Sequence, residues 1–262
     1  SLPRLPIRVT LLTPRAMVWF PPGVYLARAT ISFKPFINYV GVRATTADTD
    51  ATFTTYTASR GSIIRAHTSI YTDNNATQGT LVYIQTGDMT LRDLTLVGTA
   101  VINSNPNSCI QFGSSGGTRP HETAAQNVQG LTIDHVNTVA CITGWEIFNI
   151  GDTTAYNTRW ESNTTTLLFT NNSAMPALNE IDLVAPLIFP GATGISFSSD
   201  SRASHIIRVL GGSFGNVQPS VATNHVSYGA TIAPRVDLSF HGTEFRTSAA
   251  AYNHWLVSGN FD

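Results

Sequence analysis

Two tryptophan–glutamate pairs lie in one short stretch of this chain, Trp145–Glu146 in GWEIF and Trp160–Glu161 in RWESN, with Asp152, Tyr156 and Arg159 between them. Aromatic faces stack on sugar rings, and neighbouring carboxylates exchange protons with a glycosidic oxygen or an attacking water. The stretch therefore offers Glu146, Asp152 and Glu161 as candidate catalytic carboxylates. Trp145, Tyr156, Arg159 and Trp160 are its candidate substrate-binding groups. A structural reading stands beside the chemical one: in a strand, Trp145 would point into a core and Glu146 outward, because adjacent residues face opposite sides. Trp160 and Glu161, flanked by Asn157, Arg159, Ser162 and Asn163, read as a loop, where Arg159 and Glu161 could equally form a surface ion pair.

Other chemistry-bearing residues are few. Asp93 in LRDLTL and Asp134 in LTIDHV hold similar places in two related phrases; aligned on a repeating face they would make a carboxylate pair, and turn contacts are the competing reading. His135, His205 and His241 sit in or beside strand-like runs as single histidines, read as solvated or hydrogen-bonded, and no Ser, His and Asp spacing points to a triad. The sequence has no CxxC, no HExxH and no Asp-rich cluster, so neither a zinc nor a calcium site is expected, and no cofactor is implied. Cys109 and Cys141 each neighbour Ile in an apolar run and read as buried thiols, with a disulfide as the alternative. N-x-S/T triplets at Asn75, Asn163 and Asn172 are expected by chance in a Thr-rich chain.

Composition limits the partners. Only 12% of the 262 residues are charged, the net charge is -1, and no run of Lys or Arg occurs, which argues against nucleic acid and against an anionic membrane surface. No apolar run is long enough to span a bilayer, so membrane insertion is not expected, and SLPRLPIRVT lacks the pattern of a secretion signal. Thr, Ser, Asn and Gly supply the remaining polar surface, a composition that favours strands, turns and hydroxyl-rich ligands over long helices.

The elements that must hold these residues are short strands. A strand-and-turn phrase recurs at Met89–Gly98 (MTLRDLTLVG), Val128–Val136 (VQGLTIDHV), His205–Phe214 (HIIRVLGGSF) and Val236–Phe245 (VDLSFHGTEF). Each phrase buries too little apolar surface to stand alone, so the recurrence predicts a stacked solenoid with two or three short strands per coil. Residues 1–16, with Pro3, Pro6 and Pro14, read as an extended lead-in, and 17–262 as one β-helix domain. Residues 44–60 and 113–126 read as loops leaving the stack.

The phrase WFPPGVYLARATISFKPFINYVGV, then GSIIRA, then MTLRDLTLVG, resembles the opening of the pectate-lyase-like right-handed parallel β-helix superfamily. The matching residues are Phe20, Pro21, Pro22, Gly23, Tyr25, Gly41, Ile63, Ile64, Leu91, Asp93, Leu94, Leu96 and Gly98. The resemblance implies an all-β, right-handed parallel β-helix. With a low-charge, Thr/Ser/Asn-rich surface, the chain is most similar within that superfamily to phage tailspikes and capsule depolymerases. The implied function is recognition, and possible cleavage by hydrolysis or elimination, of a bacterial surface polysaccharide by a homotrimer in a virion tail or outside the cell. Two alternatives stay open: a non-catalytic structural or adhesive β-helix, and a free-standing secreted lyase or hydrolase. The helical segment that usually precedes FPPG is replaced by the Pro-rich start, and no trimerisation region is evident in HWLVSGNFD, so the chain reads as a fragment of a longer spike or as a shorter relative.

Overall fold

The structure is a computed structural model, and it describes residues 16–43, 61–67, 70, 79–98, 108–114, 122, 127–161, 163–170, 178–189, 191–198, 204–215, 223–228, 236–246 and 252–257. Its strands stack into three eight-stranded sheets in which every pairing is parallel. The chain visits the sheets in the fixed order A, B, C through eight successive coils. This is a right-handed parallel β-helix, the hand that crossovers between parallel strands take. Sheet A holds Ala16–Trp19, Ile37–Val40, Met89–Arg92, Leu131–Asp134, Thr153–Tyr156, Leu178–Val184, Ser204–Leu210 and Val236–His241. Sheet B holds Gly23–Ala27, Ser62–Ala66, Leu94–Val97, Asn137–Val139, Arg159–Glu161, Leu187–Phe189, Ser213–Phe214 and Glu244–Phe245. Sheet C holds Ile31–Phe33, Thr80–Ile84, Ser108–Phe112, Thr143–Ile147, Thr165–Phe169, Thr193–Phe197, Thr223–Tyr228 and Tyr252–Val257. A two-stranded pair, Val128–Gln129 with Ile150–Gly151, braces the corner between sheets C and A.

Strand periodicity explains the core. In sheet A the inward row runs Leu91, Ile133, Ala155, Leu183, Val209 in register from coil to coil, each fully or nearly fully buried. Sheet C contributes Ile84, Phe112, Ile147, Phe169 and Phe197, and sheet B contributes Ile64, Leu96, Trp160, Ile188 and Phe214. Buried side chains stack in rows, with Thr138 the one polar member between Leu96 and Trp160, so each coil covers the apolar face of its neighbour. A single coil has no core of its own.

The recurring phrase is one sheet A strand, a corner and one sheet B strand. At that corner the third to eighth coils each place a residue in the left-handed conformation: Asp93, His135, Asn157, Ala185, Gly211 and Gly242, with φ between 49° and 69°. Their amides stack onto the next coil, Asp93 N–H donating to the carbonyl of Asp134 (3.0 Å), His135 to Tyr156 (3.0 Å), Asn157 to Val184 (2.9 Å) and Ala185 to Leu210 (2.8 Å). Gly212 follows the corner at φ 76°, and a Cβ there would lie 2.2 Å from the carbonyl oxygen of Pro186, so both conformation and space require glycine.

Buried polar groups join the coils from inside. The Asn163 side chain accepts from Cys141 N–H (2.9 Å) and donates to the Thr138 carbonyl (3.0 Å), and it is wholly buried, which rules it out as a glycosylation acceptor in the folded chain. Asn179 accepts from Ile150 N–H (2.8 Å) and meets His205 Nδ1 at 3.0 Å. His205 lies against the rings of Phe169 and Phe197, and burial pulls its pKa down to about 4.

Three expectations are corrected. Cys109 and Cys141 are not free thiols: they form a disulfide, with Cα atoms 5.8 Å apart, that joins neighbouring coils. Their apolar flanks misled because the bond itself lies in the core, where its neighbours resemble those of a packed thiol. The strand-and-turn phrase Met89–Gly98 holds two strands, Met89–Arg92 and Leu94–Val97, broken at Asp93, rather than one. Arg159–Glu161 is a sheet B strand rather than a loop, its three residues too few to display an alternation. The proposed lead-in up to residue 15, the loop 44–60 and, apart from Gly113, Ser114 and Glu122, the loop 113–126 lie outside the described residues, as do Asn75 and Asn172.

Candidate functional site

The two tryptophans that opened the sequence reading are core residues. Trp145 and Trp160 have no exposed surface and meet edge to face with ring centroids 4.7 Å apart, Trp145 inward from sheet C and Trp160 inward from sheet B. Neither ring presents a face to a sugar, so their assignment as stacking platforms is overturned. Alternation at three- and five-residue strands accounts for it, since each Trp takes the inward place and its Glu the outward one.

The three candidate carboxylates diverge onto different sides of the prism. Glu146 faces outward from sheet C but is only 4% exposed, accepting a hydrogen bond from Ser108 Oγ at 2.5 Å. Beside it Gln111, paired to Glu146 in register, donates to Glu122 at 2.6 Å and accepts from Thr80 Oγ1 at 3.0 Å, so this face carries a buried polar ladder. Glu161 points outward from sheet B and pairs with Arg159 at 2.9 Å, while the Arg159 guanidinium also lies over the Phe189 ring at 5.4 Å. Asp152 sits exposed at the corner leading into sheet A. Glu146, Asp152 and Glu161 therefore do not form one catalytic set.

Sheet A brings other groups together. Tyr156, 40% exposed, stands in register between Asp134 and Val184 on its outer face. The next outward row runs Thr90, Thr132, Thr154, Asp182, Arg208, all at least partly exposed. Arg208 binds Asp182 through Nε (2.5 Å) and Glu180 through a terminal nitrogen (2.8 Å), and these bonds raise its pKa further above the ordinary guanidinium range. Glu180, Asp182 and Arg208 escaped the sequence reading, although their spacing signals them: in NEIDLV and HIIRVL each charge alternates with a core aliphatic residue.

At the edge of this face, three coils place six polar residues on a grid of two columns: Arg92 beside Asp93, Asp134 beside His135, Tyr156 beside Asn157. Asp93 and Asp134 are not equivalent positions, as the sequence alignment of phrases suggested, because Asp134 pairs in register with Arg92, while Asp93 takes the left-handed corner place that His135 takes one coil on. The offset nevertheless brings both carboxylates to one guanidinium. Arg92 Nε lies 3.1 Å from Asp93 Oδ2 and 3.6 Å from Asp134 Oδ2, so these two oxygens are at most about 6.7 Å apart. His135 Nδ1 lies 2.7 Å from the other oxygen of Asp134.

Among the described residues no group of His, Cys, Asp and Glu is arranged to hold a metal ion. No helix of the described residues is long and apolar enough to cross a membrane.

No family model matches the chain, and no curated protein matches it by sequence. Among solved structures it is similar to the A-module of the mannuronan C-5 epimerase of Azotobacter vinelandii, at 14% identity and a TM-score of 0.41, over 87% of this chain and 68% of that one.

Proposed function

We propose that this chain is the glycan-recognising β-helix of a virion tailspike-like protein, and that it reads a bacterial surface polysaccharide along the outer face of sheet A. The observation that carries the reading is Tyr156, an exposed aromatic ring beside the threonine row Thr90, Thr132 and Thr154 on the outer face of sheet A, in a row that also holds the exposed Trp19 and Leu210. An aromatic ring supplies the apolar contact that a sugar face seeks, and the threonine row beside it supplies adaptable hydrogen bonds to its hydroxyl groups. Eight strands at about 4.8 Å spacing give a face about 34 Å long, room for an extended saccharide rather than a single sugar. The FPPG opening and the low surface charge support the tailspike-like setting, in a virion tail or outside the cell, with a homotrimer as the assembly to be checked by solution mass.

The test is binding of the full chain to immobilised bacterial capsular and lipopolysaccharide glycans, with Tyr156→Ala as the probe. Loss of a stacked ring is expected to weaken binding roughly tenfold, about 1.4 kcal/mol. An unchanged Kd in a variant that melts like the parent would place recognition elsewhere on the molecule.

A further inference from the structure

We propose that the first coil is a docking face for an acidic polypeptide, which adds an extended strand to the coil's open edges. This goes beyond the glycan reading and does not depend on it. Six of the nine large apolar side chains exposed among the described residues lie between residues 17 and 36: Met17, Val18, Trp19, Val24, Leu26 and Phe36. They follow the chain around the end of the stack. Met17 and Trp19 lie on the outer face of sheet A, exposed Pro21 and Pro22 turn the corner, and Val24 and Leu26 face outward from sheet B. Phe36 precedes Ile37, the register partner of Ala16. Apolar groups gathered in this way mark an interaction site, where single scattered ones would not. Phe36 adds a second sign: its backbone is left-handed at φ 61° while its ring is 60% exposed, an unfavourable conformation for a bulky residue that gains no burial from it.

Charge is divided along the chain as well. Residues 1–47 hold Arg4, Arg8, Arg15, Arg28, Lys34 and Arg43 and no acidic residue, whereas residues 48–262 hold nine basic residues and all sixteen acidic ones. The net charge of -1 conceals a basic opening. Arg28, Lys34 and Arg43 are exposed. In the same coil Ala16–Trp19, Gly23–Ala27 and Ile31–Phe33 each end their sheet among the described residues, and a strand at a sheet's edge presents a row of N–H and C=O groups ready to pair with another chain.

These features select the occupant. Basic side chains around an apolar surface favour a partner that is acidic and partly apolar. Open strand edges favour a polypeptide, because lipid offers a strand edge no hydrogen bonds. A strand of alternating apolar and acidic residues meets both requirements. A second copy of this chain fits less well, since its carboxylates are already engaged: Asp93 and Asp134 with Arg92, Glu161 with Arg159, Glu180 and Asp182 with Arg208, Glu244 with Arg246.

The experiment uses the full chain and, as probe, a fluorescein-labelled peptide of alternating valine and glutamate. A valine–lysine peptide is the charge control, and vesicles of phosphatidylcholine with phosphatidylserine are the lipid arm. Saturable binding of the glutamate peptide is expected by anisotropy, weakening as salt rises, with slowed hydrogen exchange at the amides of residues 16–33. Trp19→Ser and Lys34→Glu should each weaken binding at least roughly fivefold, whereas Leu187→Ser, an exposed apolar residue of the sixth coil, should leave it unchanged. All three side chains are exposed, so the variants keep the fold. Failure of the glutamate peptide to bind, equal binding of the lysine peptide, binding without slowed exchange, or full affinity in both first-coil variants overturns the proposal. Vesicle binding without peptide binding assigns the face to lipid, and a doubled solution mass that Trp19→Ser abolishes assigns it to a second copy. Either result overturns the acidic polypeptide.

Discussion

Reducing the Cys109–Cys141 disulfide tests the fold where sequence reasoning failed. The bond closes a loop of 32 residues of sequence separation, joining neighbouring coils at the junction of sheets B and C. Loop-closure entropy for that length, -2.1 - 1.5R ln n cal/mol/K, corresponds to about 3.7 kcal/mol of stabilisation at 25 °C. Little else should change on reduction. A Cys109 thiol has the Leu96 and Val139 carbonyls at 3.7 and 4.0 Å as acceptors, and thiols of this kind sit comfortably among apolar neighbours. The protein, unfolded and refolded with and without reductant, is followed by urea titration, with intact mass after alkylation reporting the thiol state. The reduced form should unfold at a urea concentration roughly 1 M or more lower, with thiols protected from alkylation until unfolding. A Cys109→Ala/Cys141→Ala chain should be insensitive to reductant. Coincident curves for oxidised and fully reduced protein would refute the reasoning. Free alkylation of both cysteines before reduction would refute the bond itself.

Two further outcomes follow from buried groups. His205 is neutral in the folded core with a pKa of about 4, against an ordinary value of 6.5, so the unfolded chain binds the proton more readily and stability falls as pH drops from about 6.5 toward 4. The loss amounts to about 3 kcal/mol once pH is below both values, measured as the difference in pH dependence between the parent and His205→Gln; parallel profiles would remove His205 as the cause. Trp160→Ala should cost roughly 3–5 kcal/mol through a core cavity. Trp160→Phe should cost far less, because the indole N–H is buried without an acceptor among the described residues. Neither change should alter the Kd of the folded fraction for glycan, and a selective loss of binding in Trp160→Phe would return that residue to the surface.

The fold was readable because a β-helix writes its period into the chain. MTLR, LTID, HIIRVL and VDLSFH each carry the inward apolar residues of sheet A at alternate positions, and repetition at a coil's length shows that the strands stack rather than pair as hairpins. The site was less readable, since function on this scaffold depends on coil-to-coil register. Arg92 meets Asp134 only because coils of different length place Met89 against Leu131, and no local motif records that pairing. Trp160 failed for the opposite reason: its polar neighbours describe the outer face of a three-residue strand, and a loop has the same letters. Glu146 shows a third limit, as its outward position follows from alternation while its burial depends on what lies over the sheet.

The left-handed corners change character along the axis. The early coils place Asp93, His135 and Asn157 there, then Ala185 follows, and the last coils place Gly211 and Gly242, bare backbone. A polysaccharide has a reducing and a non-reducing end, and this rod is likewise polar from one end to the other. A chain laid along it meets functional groups first and a featureless rail afterwards, or the reverse. The two orientations are chemically distinct, which gives the rod a means of admitting its ligand in one sense.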